Sequence, residues 1–145
     1  MLSNDEKHEA YVQLKTRLKK ALSSGFWLEA CMIEYAIMED RTTSILLHSG
    51  ISSNGSKKKL SNKLNSIVYQ IEKQHPIISK KVSLDTIFAI KEWKEQRNEA
   101  VHRACIIRYD EDKLHSLADS GKNLMDKLSN DAQKVIRAEK KKARS

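Results

Sequence analysis

Hydrophobic residues recur every three or four positions along most of this chain, which is the spacing of amphipathic α-helices. In the first segment of this kind they are Tyr11, Leu14, Leu18 and Leu22. Similar segments follow to the end of the chain, so the pattern predicts an all-α fold of about five helices. The predicted helices cover residues 5–22, 26–48, 57–74, 84 to 106 or 107, and 110 to the C-terminal end.

Glycine, proline and small polar residues mark the ends of these helices. Gly25 follows two serines at the end of the first helix, and Pro76 ends the third because proline cannot continue a helix. Residues 49–56 predict a loop, whereas residues 77–82 are a connector without a clear pattern. Ser83 is expected to cap the fourth helix, since its hydroxyl can accept a hydrogen bond from an unpaired backbone N–H.

The second and last helices differ from a simple amphipathic pattern. The second is apolar on nearly every side over residues 26–38, which predicts a central helix covered by its neighbours or by another subunit. In the last helix, Gly121 predicts a kink, and the basic segment 137–145 predicts a tail that frays into solvent. The whole chain, 1–145, is interpreted as one helical domain.

The composition agrees with a single domain, and together with the cysteines and the N-terminal segment it predicts a cytoplasmic protein. One proline and four glycines in 145 residues exclude a turn-rich all-β fold and a collagen-like chain. The longest nearly apolar run, 30–38, is too short to cross a bilayer, and the polar N-terminal segment predicts no secretory leader. Cys31 and Cys105 lie in apolar sequence and are predicted to be reduced thiols in the core.

Positive charge is concentrated in the middle third of the chain. The whole chain has a net charge of +8, with 27 Lys and Arg residues against 19 Asp and Glu residues. Residues 57–109 alone carry 12 basic and 5 acidic side chains, a net charge of +7. Such a segment can attract a polyanion through phosphate contacts and counterion release. A lysine-rich surface that is merely solvated is the alternative interpretation.

Arg97 lies in the middle of an apolar stripe on the fourth predicted helix. A buried guanidinium stays charged, and without a partner its burial would cost several kcal/mol. Arg97 is therefore expected to meet a carboxylate, or to face a cleft or a subunit interface. The stripe is formed by Ile90, Trp93, Ala100, Val101 and Ala104.

Glu34 of the second helix is a candidate partner for this arginine. It lies on a line with Ala30 and Ile37, on a face that is predicted to be largely covered. A Glu34–Arg97 or Glu34–Arg41 ion pair would fix the register of the helices and take no part in chemistry.

The segment around Arg97 resembles the signature of a known family. Residues 93–102 read WKEQRNEAVH. Arg97, Asn98 and His102 match the Arg-x-x-x-x-His motif, often with a polar residue directly after the arginine, of HEPN (higher eukaryotes and prokaryotes nucleotide-binding) domains. The chain resembles these domains closely over the ten residues and loosely in its helical layout.

The resemblance implies an antiparallel helical bundle that forms a homodimer, with two motifs in one basic cleft. Active HEPN domains are metal-independent endoribonucleases, so neither a cofactor nor a metal ion is expected. Cleavage of RNA through its own 2′-hydroxyl needs proton transfer and positive charge on the pentacoordinate phosphorane. His102 would act as general base or acid, Arg97 would hold the phosphate, and Asn98 would orient the imidazole or touch the scissile phosphate.

Helical geometry agrees with the need for a dimer. Arg97 and His102 lie about 140° apart around a helix, so one motif alone would bind a phosphate poorly. Two copies of the motif that face each other could bind it together. No spacing of His, Cys or carboxylate residues indicates a metal site, and no glycine-rich phosphate loop is present.

The resemblance also implies which molecules this protein binds. Active HEPN domains often serve as toxins or in phage defence, which implies RNA as a partner and a cognate antitoxin or other partner protein. HEPN domains controlled by AMPylation commonly have a tyrosine two residues after the histidine, where Ala104 stands here, so that form of control is not carried over. Lys94, Arg103 and Arg108 are candidate contacts to the RNA backbone, although each is individually more often solvated surface.

Two interpretations therefore follow from the sequence. The first is a homodimeric, metal-independent endoribonuclease of HEPN type. The second is a non-catalytic helical module that binds RNA or protein, with Arg97 in a structural ion pair. Cleavage that depends on both Arg97 and His102 distinguishes them.

Overall fold

Six α-helices and no strand are present in the parts of the chain that the computed structural model describes, residues 3–51, 59–106 and 108–144. The prediction of an all-α packed bundle is confirmed. There is one helix more than expected because the connector 77–82 contains a short helix. The helices are α1 (Asn4–Ser24), α2 (Trp27–His48), α3 (Leu60–Glu72), α4 (Ile78–Lys81), α5 (Leu84–Ile106) and α6 (Glu111–Arg144).

The centre of the bundle is α2, as its apolar sequence predicts. It packs most extensively against α6 and also contacts α1, α3 and α5. Ala30, Cys31 and Ile37 on α2 have no exposure to solvent. Because α2 is covered on several sides, any polar group on its inner faces is held away from water, which matters for Glu34 below.

The predicted helix ends agree with the observed ones where capping residues define them. Gly25 ends α1 in the left-handed conformation, with φ 76°, which glycine adopts without a steric penalty. Ser83 caps α5, since its Oγ accepts a hydrogen bond from the backbone N–H of Thr86 at 3.3 Å. The carboxylate of Asp131 accepts from the backbone N–H of Ser83 at 3.1 Å and so ties the start of α5 to α6. The predicted loop 49–56 and the predicted helix start at residue 57 fall largely on residues 52–58, outside the described residues.

The last helix is more regular than predicted. It continues through Gly121 without interruption and includes the basic segment to Arg144. The prediction of a frayed tail is wrong, because Val135 is buried and Ala138 packs against the core, which anchors the helix next to this segment. The segment itself is rich in alanine, lysine and arginine, which favour the helical conformation.

The two cysteines differ in their surroundings. Cys31 is buried, whereas Cys105 is exposed. The predicted core position of Cys105 is wrong because this residue lies in the last turn of α5, beyond Ala100, the last buried residue of that helix. None of the described helices is long and apolar enough to cross a membrane.

Candidate functional site

The predicted motif lies in the C-terminal half of α5, where the helix leaves the core. Upstream of it, Ile90 and Trp93 are buried, and the indole N–H of Trp93 donates to the backbone carbonyl of Leu117 at 2.8 Å. This contact fixes the rotation of α5 against α6 and thereby sets which way Arg97 points. Arg97 is half-buried, on the same side of α5 as Trp93.

Neutral groups orient the guanidinium of Arg97. Its central carbon lies 4.5 Å from the centre of the Tyr35 ring on α2, a cation–π contact. Its Nη1 donates to Oδ1 of Asn98 at 2.9 Å, while its Nε is buried and makes no hydrogen bond. No carboxylate of the described residues lies within ion-pair distance of it. The positive charge of Arg97 is therefore held in place but not neutralised.

Asn98 contacts the arginine of the motif rather than the histidine. The side chain of Asn98 is exposed, and its carbonyl oxygen is the hydrogen-bond acceptor for Arg97. The resemblance to the HEPN motif predicts that Asn98 acts on His102 or on the phosphate. In the structure its role is to orient the neighbouring guanidinium.

His102 lies on the solvent side of α5, away from Arg97. It is exposed and makes no hydrogen bond or ion pair with the described part of the chain. Five residues along a helix correspond to a rotation of about 140° and a rise of about 7.5 Å. Arg97 contacts Tyr35 on α2 while His102 faces outward, so one chain does not bring the two side chains to a common point.

The ion pair expected for Glu34 does not form. Glu34 has no exposure to solvent, and neither of its carboxyl oxygens has a hydrogen-bond partner among the described residues. Its other predicted partner, Arg41, binds the neighbouring Asp40 instead, with the Nε donating at 3.2 Å. Glu34 is fully buried as predicted, but it carries no counter-ion.

Burial explains why Glu34 needs no counter-ion. The pKa of Glu34 is raised to about 9, chiefly by removal from water and also by the negative charges of Asp119 and Asp126, while Lys122 opposes them. The carboxyl group is thus protonated and neutral near pH 7. The sequence indicated the position of Glu34 but not its protonation state, because that state depends on how completely α2 is covered.

Gly121 provides the space that Glu34 and Trp93 occupy. A Cβ atom at position 121 would lie 2.7 Å from Cζ2 of Trp93 and would also overlap Oε1 of Glu34. From the sequence alone, this glycine predicts a kink in α6. The structure assigns it to close packing between α2, α5 and α6.

Cys31 lies close to the same buried polar groups. Its thiol donates to the backbone carbonyl of Leu114 at 3.9 Å. The pKa of Cys31 is raised to about 12, chiefly by burial and also by Glu34, while Arg97 opposes the increase. Cys31 is therefore a protonated thiol in the core and not a nucleophile.

The three predicted contacts to the RNA backbone have different surroundings. Lys94 is only 8% exposed, and its Nζ pairs with Glu95 at 2.6 Å. It is unsuited to bind a phosphate because its side chain lies at the edge of the buried stripe. Arg103 and Arg108 remain at the surface, and both line a cavity of about 270 Å³ at the corner between α5 and α6. Within the described residues, Arg103 pairs with Glu99 at 3.0 Å.

Comparisons with protein-family models, curated proteins and solved structures give no match to this chain. In the described part of the chain, no three His, Cys, Asp or Glu side chains lie close enough together to hold a metal ion.

Proposed function

We propose that this protein is a metal-independent endoribonuclease of HEPN type that acts as a homodimer. The observation that carries the proposal is the state of Arg97. Its guanidinium is oriented by Tyr35 and Asn98, yet its charge has no carboxylate partner in the described residues. A structural arginine would normally be paired with a carboxylate, whereas a phosphate-binding arginine must keep its charge available.

The residue types in the motif suit cleavage through the 2′-hydroxyl of RNA. His102 removes the proton of the 2′-hydroxyl or gives a proton to the departing 5′-oxygen. Arg97 stabilises the additional negative charge of the phosphorane with a planar, fixed pair of donors. Asn98 is a positioning residue, because it holds the guanidinium in a single orientation before the substrate binds.

The divergence of Arg97 and His102 within one chain supports a shared site between two copies. In the proposed dimer, Arg97 of one copy and His102 of the other act on the same phosphate. A two-fold axis generates two such pairs, since each contact occurs twice in a symmetric interface. The resemblance to HEPN domains adds the biological proposal of a toxin or phage-defence component with a cognate antitoxin or other partner protein.

A non-catalytic module that binds RNA or protein is the second candidate. It is favoured by one observation: His102 has no neighbour in the described residues that fixes its ring. General bases are usually oriented by a hydrogen bond from a third group.

The test is cleavage of single-stranded RNA in the presence of EDTA. The wild-type protein is expected to cut the RNA, whereas His102→Ala and Arg97→Ala each lower the rate by about 10²-fold or more. His8→Ala and Arg137→Ala serve as matched controls, since both residues are exposed and lie outside the motif. Circular dichroism and analytical ultracentrifugation check that the variants keep the fold and the oligomeric state. Binding of RNA or of a partner protein without cleavage by the wild type would support the non-catalytic module.

A further inference from the structure

Three cations meet at the corner between α5 and α6. Arg103 is in the last turn of α5, Arg108 follows that helix, and Lys113 is in the first turn of α6. All three line the cavity of about 270 Å³. The backbone N–H of Arg108 donates to the carbonyl of Arg103 at 2.9 Å, which closes the turn and brings these two residues to one side of the cavity.

Only one of the three cations around this cavity has an ion-pair partner among the described residues. Arg103 is paired with Glu99, but Arg108 and Lys113 have no ion-pair partner among the described residues. Asp110 is the one carboxylate that lines the cavity, and its Oδ1 accepts from the backbone N–H of Lys113 at 3.1 Å, capping α6. The cavity rim therefore keeps two cations available for an anion.

Ala100 and Leu114 also line the cavity, but they are only 6% and 1% exposed and offer almost no surface to a base. The groups available to a ligand are therefore the cations, which fit the phosphate of a strand. Glu111 and Asp112, in the first turn of α6, do not line the cavity.

We infer that this corner cavity binds a second phosphodiester of the RNA strand, beside the phosphate held at the Arg97–His102 motif. This inference rests on the proposed function, since it extends the same substrate along α5. Arg103, which lines the cavity, directly follows His102 in the chain, so the cavity begins one residue beyond the motif. Arg108 and Lys113 would then bind substrate and improve its affinity, without taking part in proton transfer.

Binding is measured with a 12-residue, 2′-O-methyl RNA, which cannot be cleaved through the 2′-hydroxyl. Arg108→Gln and Lys113→Gln are each expected to weaken its binding by about five- to tenfold at low salt. Each should also reduce the slope of log affinity against log salt by about 0.7, the value for one lost phosphate contact on a single strand. Lys140→Gln is the matched control, because it removes an exposed cation near the other end of α6 and should change neither quantity.

Cleavage of two substrates separates this inference from the proposed function. A dinucleotide has one phosphodiester and cannot occupy both positions, so its cleavage by the wild type reports on the Arg97–His102 motif without the corner cavity. A 12-residue RNA should show a raised KM with Arg108→Gln and an unchanged kcat.

Three further outcomes would each overturn a different part of this scheme. In the first outcome, Arg108→Gln and Lys113→Gln bind RNA with the affinity and salt slope of the wild type, and the wild type cleaves RNA. This result would overturn the second phosphate position and leave the proposed nuclease intact. Weaker RNA binding by these variants without cleavage by the wild type would overturn the nuclease and support the cavity as an RNA site. Absence of RNA binding by the wild type would overturn both.

Discussion

Glu34 and Arg97 are buried or half-buried polar residues on adjacent helices, and neither neutralises the other. Glu34 is fully buried with both oxygens unpartnered, and Arg97 rests on the ring of Tyr35 with its Nε unpartnered. Glu34 is protonated near pH 7, so it carries no charge that could neutralise the guanidinium.

The first prediction concerns the pH dependence of stability. Glu34 has an ordinary pKa of 4.5, and burial raises the pKa to about 9 in the folded protein. The folded state thus binds the proton more tightly, and its contribution to stability is complete below about pH 4.5 and is lost as the pH rises toward 9. Between these limits the free energy of unfolding should fall by up to about 1.4 kcal/mol per pH unit relative to Glu34→Gln.

Urea denaturation of both proteins at pH 5, 6, 7 and 8 measures this difference. Glu34→Gln has nearly the same shape as the wild type and no titrating group, so other ionisable residues cancel in the comparison. Parallel stability curves for the two proteins would show that Glu34 is ionised in the folded state and would contradict the assignment.

A second prediction follows from the contact between Asn98 and Arg97. Asn98→Asp places a carboxylate next to Nη1 of Arg97, which neutralises the guanidinium. Stability should change by no more than about 1 kcal/mol, the usual size of an exposed ion pair. Cleavage of RNA should fall by about tenfold or more, because the paired charge is less available to the phosphate.

Asn123→Asp is the control for the added negative charge, since Asn123 is exposed on α6. The rate of RNA cleavage and the free energy of unfolding are measured for both variants. If Asn98→Asp cleaves RNA as fast as Asn123→Asp, the charge of Arg97 is not used in the reaction.

At the scale of the elements, Gly121 determines how closely α6 approaches α2 and α5. Gly121→Ala gains about 1 kcal/mol of helix propensity but forces a methyl group against Trp93 and Glu34. Overpacking of this kind costs about 1–3 kcal/mol, so we expect a net loss of stability. Asn123→Ala, on an exposed position of the same helix, should change stability little.

A double-mutant cycle checks the reason for that loss. In a Glu34→Ala background the carboxyl group is absent, so Gly121→Ala should be less destabilising there than in the wild type. Urea denaturation of the four proteins gives the coupling energy. Equal losses in both backgrounds would show that Glu34 is not what Gly121 accommodates.

The helices themselves could be predicted from the sequence because local signals define them. Apolar spacing indicated α1, α2, α3, α5 and α6, and Gly25 and Ser83 marked two of their ends. Features that depend on packing between distant segments were not predicted. From the sequence alone, Gly121 indicates a kink, whereas the structure shows that Glu34 and Trp93 pack against it. Lys94 is interpreted from the sequence as a surface cation, whereas the structure shows that it is buried at the edge of the core.

For the candidate site, the sequence supplied a hypothesis about residues but not about their interactions. The resemblance to the HEPN motif pointed to Arg97, Asn98 and His102, and their roles stay a prediction. Tyr35, which holds the guanidinium, was not singled out, because a contact between α2 and α5 leaves no spacing signal in either helix. Lys113 was missed for the same reason, since only the turn between α5 and α6 brings it to Arg103 and Arg108.

At the scale of the whole molecule, one chain separates the two groups that the proposed reaction requires. Arg97 faces α2, and His102 faces solvent on the other side of α5. If the reaction uses Arg97 of one copy with His102 of the other, activity is a property of the dimer. A heterodimer of two inactive variants then tests where each group comes from.

In a dimer of Arg97→Ala with His102→Ala, one intact Arg97 and one intact His102 face each other across the two-fold axis. The other pair lacks both groups, so we expect about half of the wild-type activity per dimer. Each parent homodimer should show about a hundredth of that activity or less. Two different affinity tags allow the heterodimer to be purified from both parents, and ultracentrifugation verifies its size. A purified heterodimer that is as inactive as its parents would mean that each chain must supply both groups itself, which the divergence of the two side chains on α5 does not permit without a rearrangement of that helix.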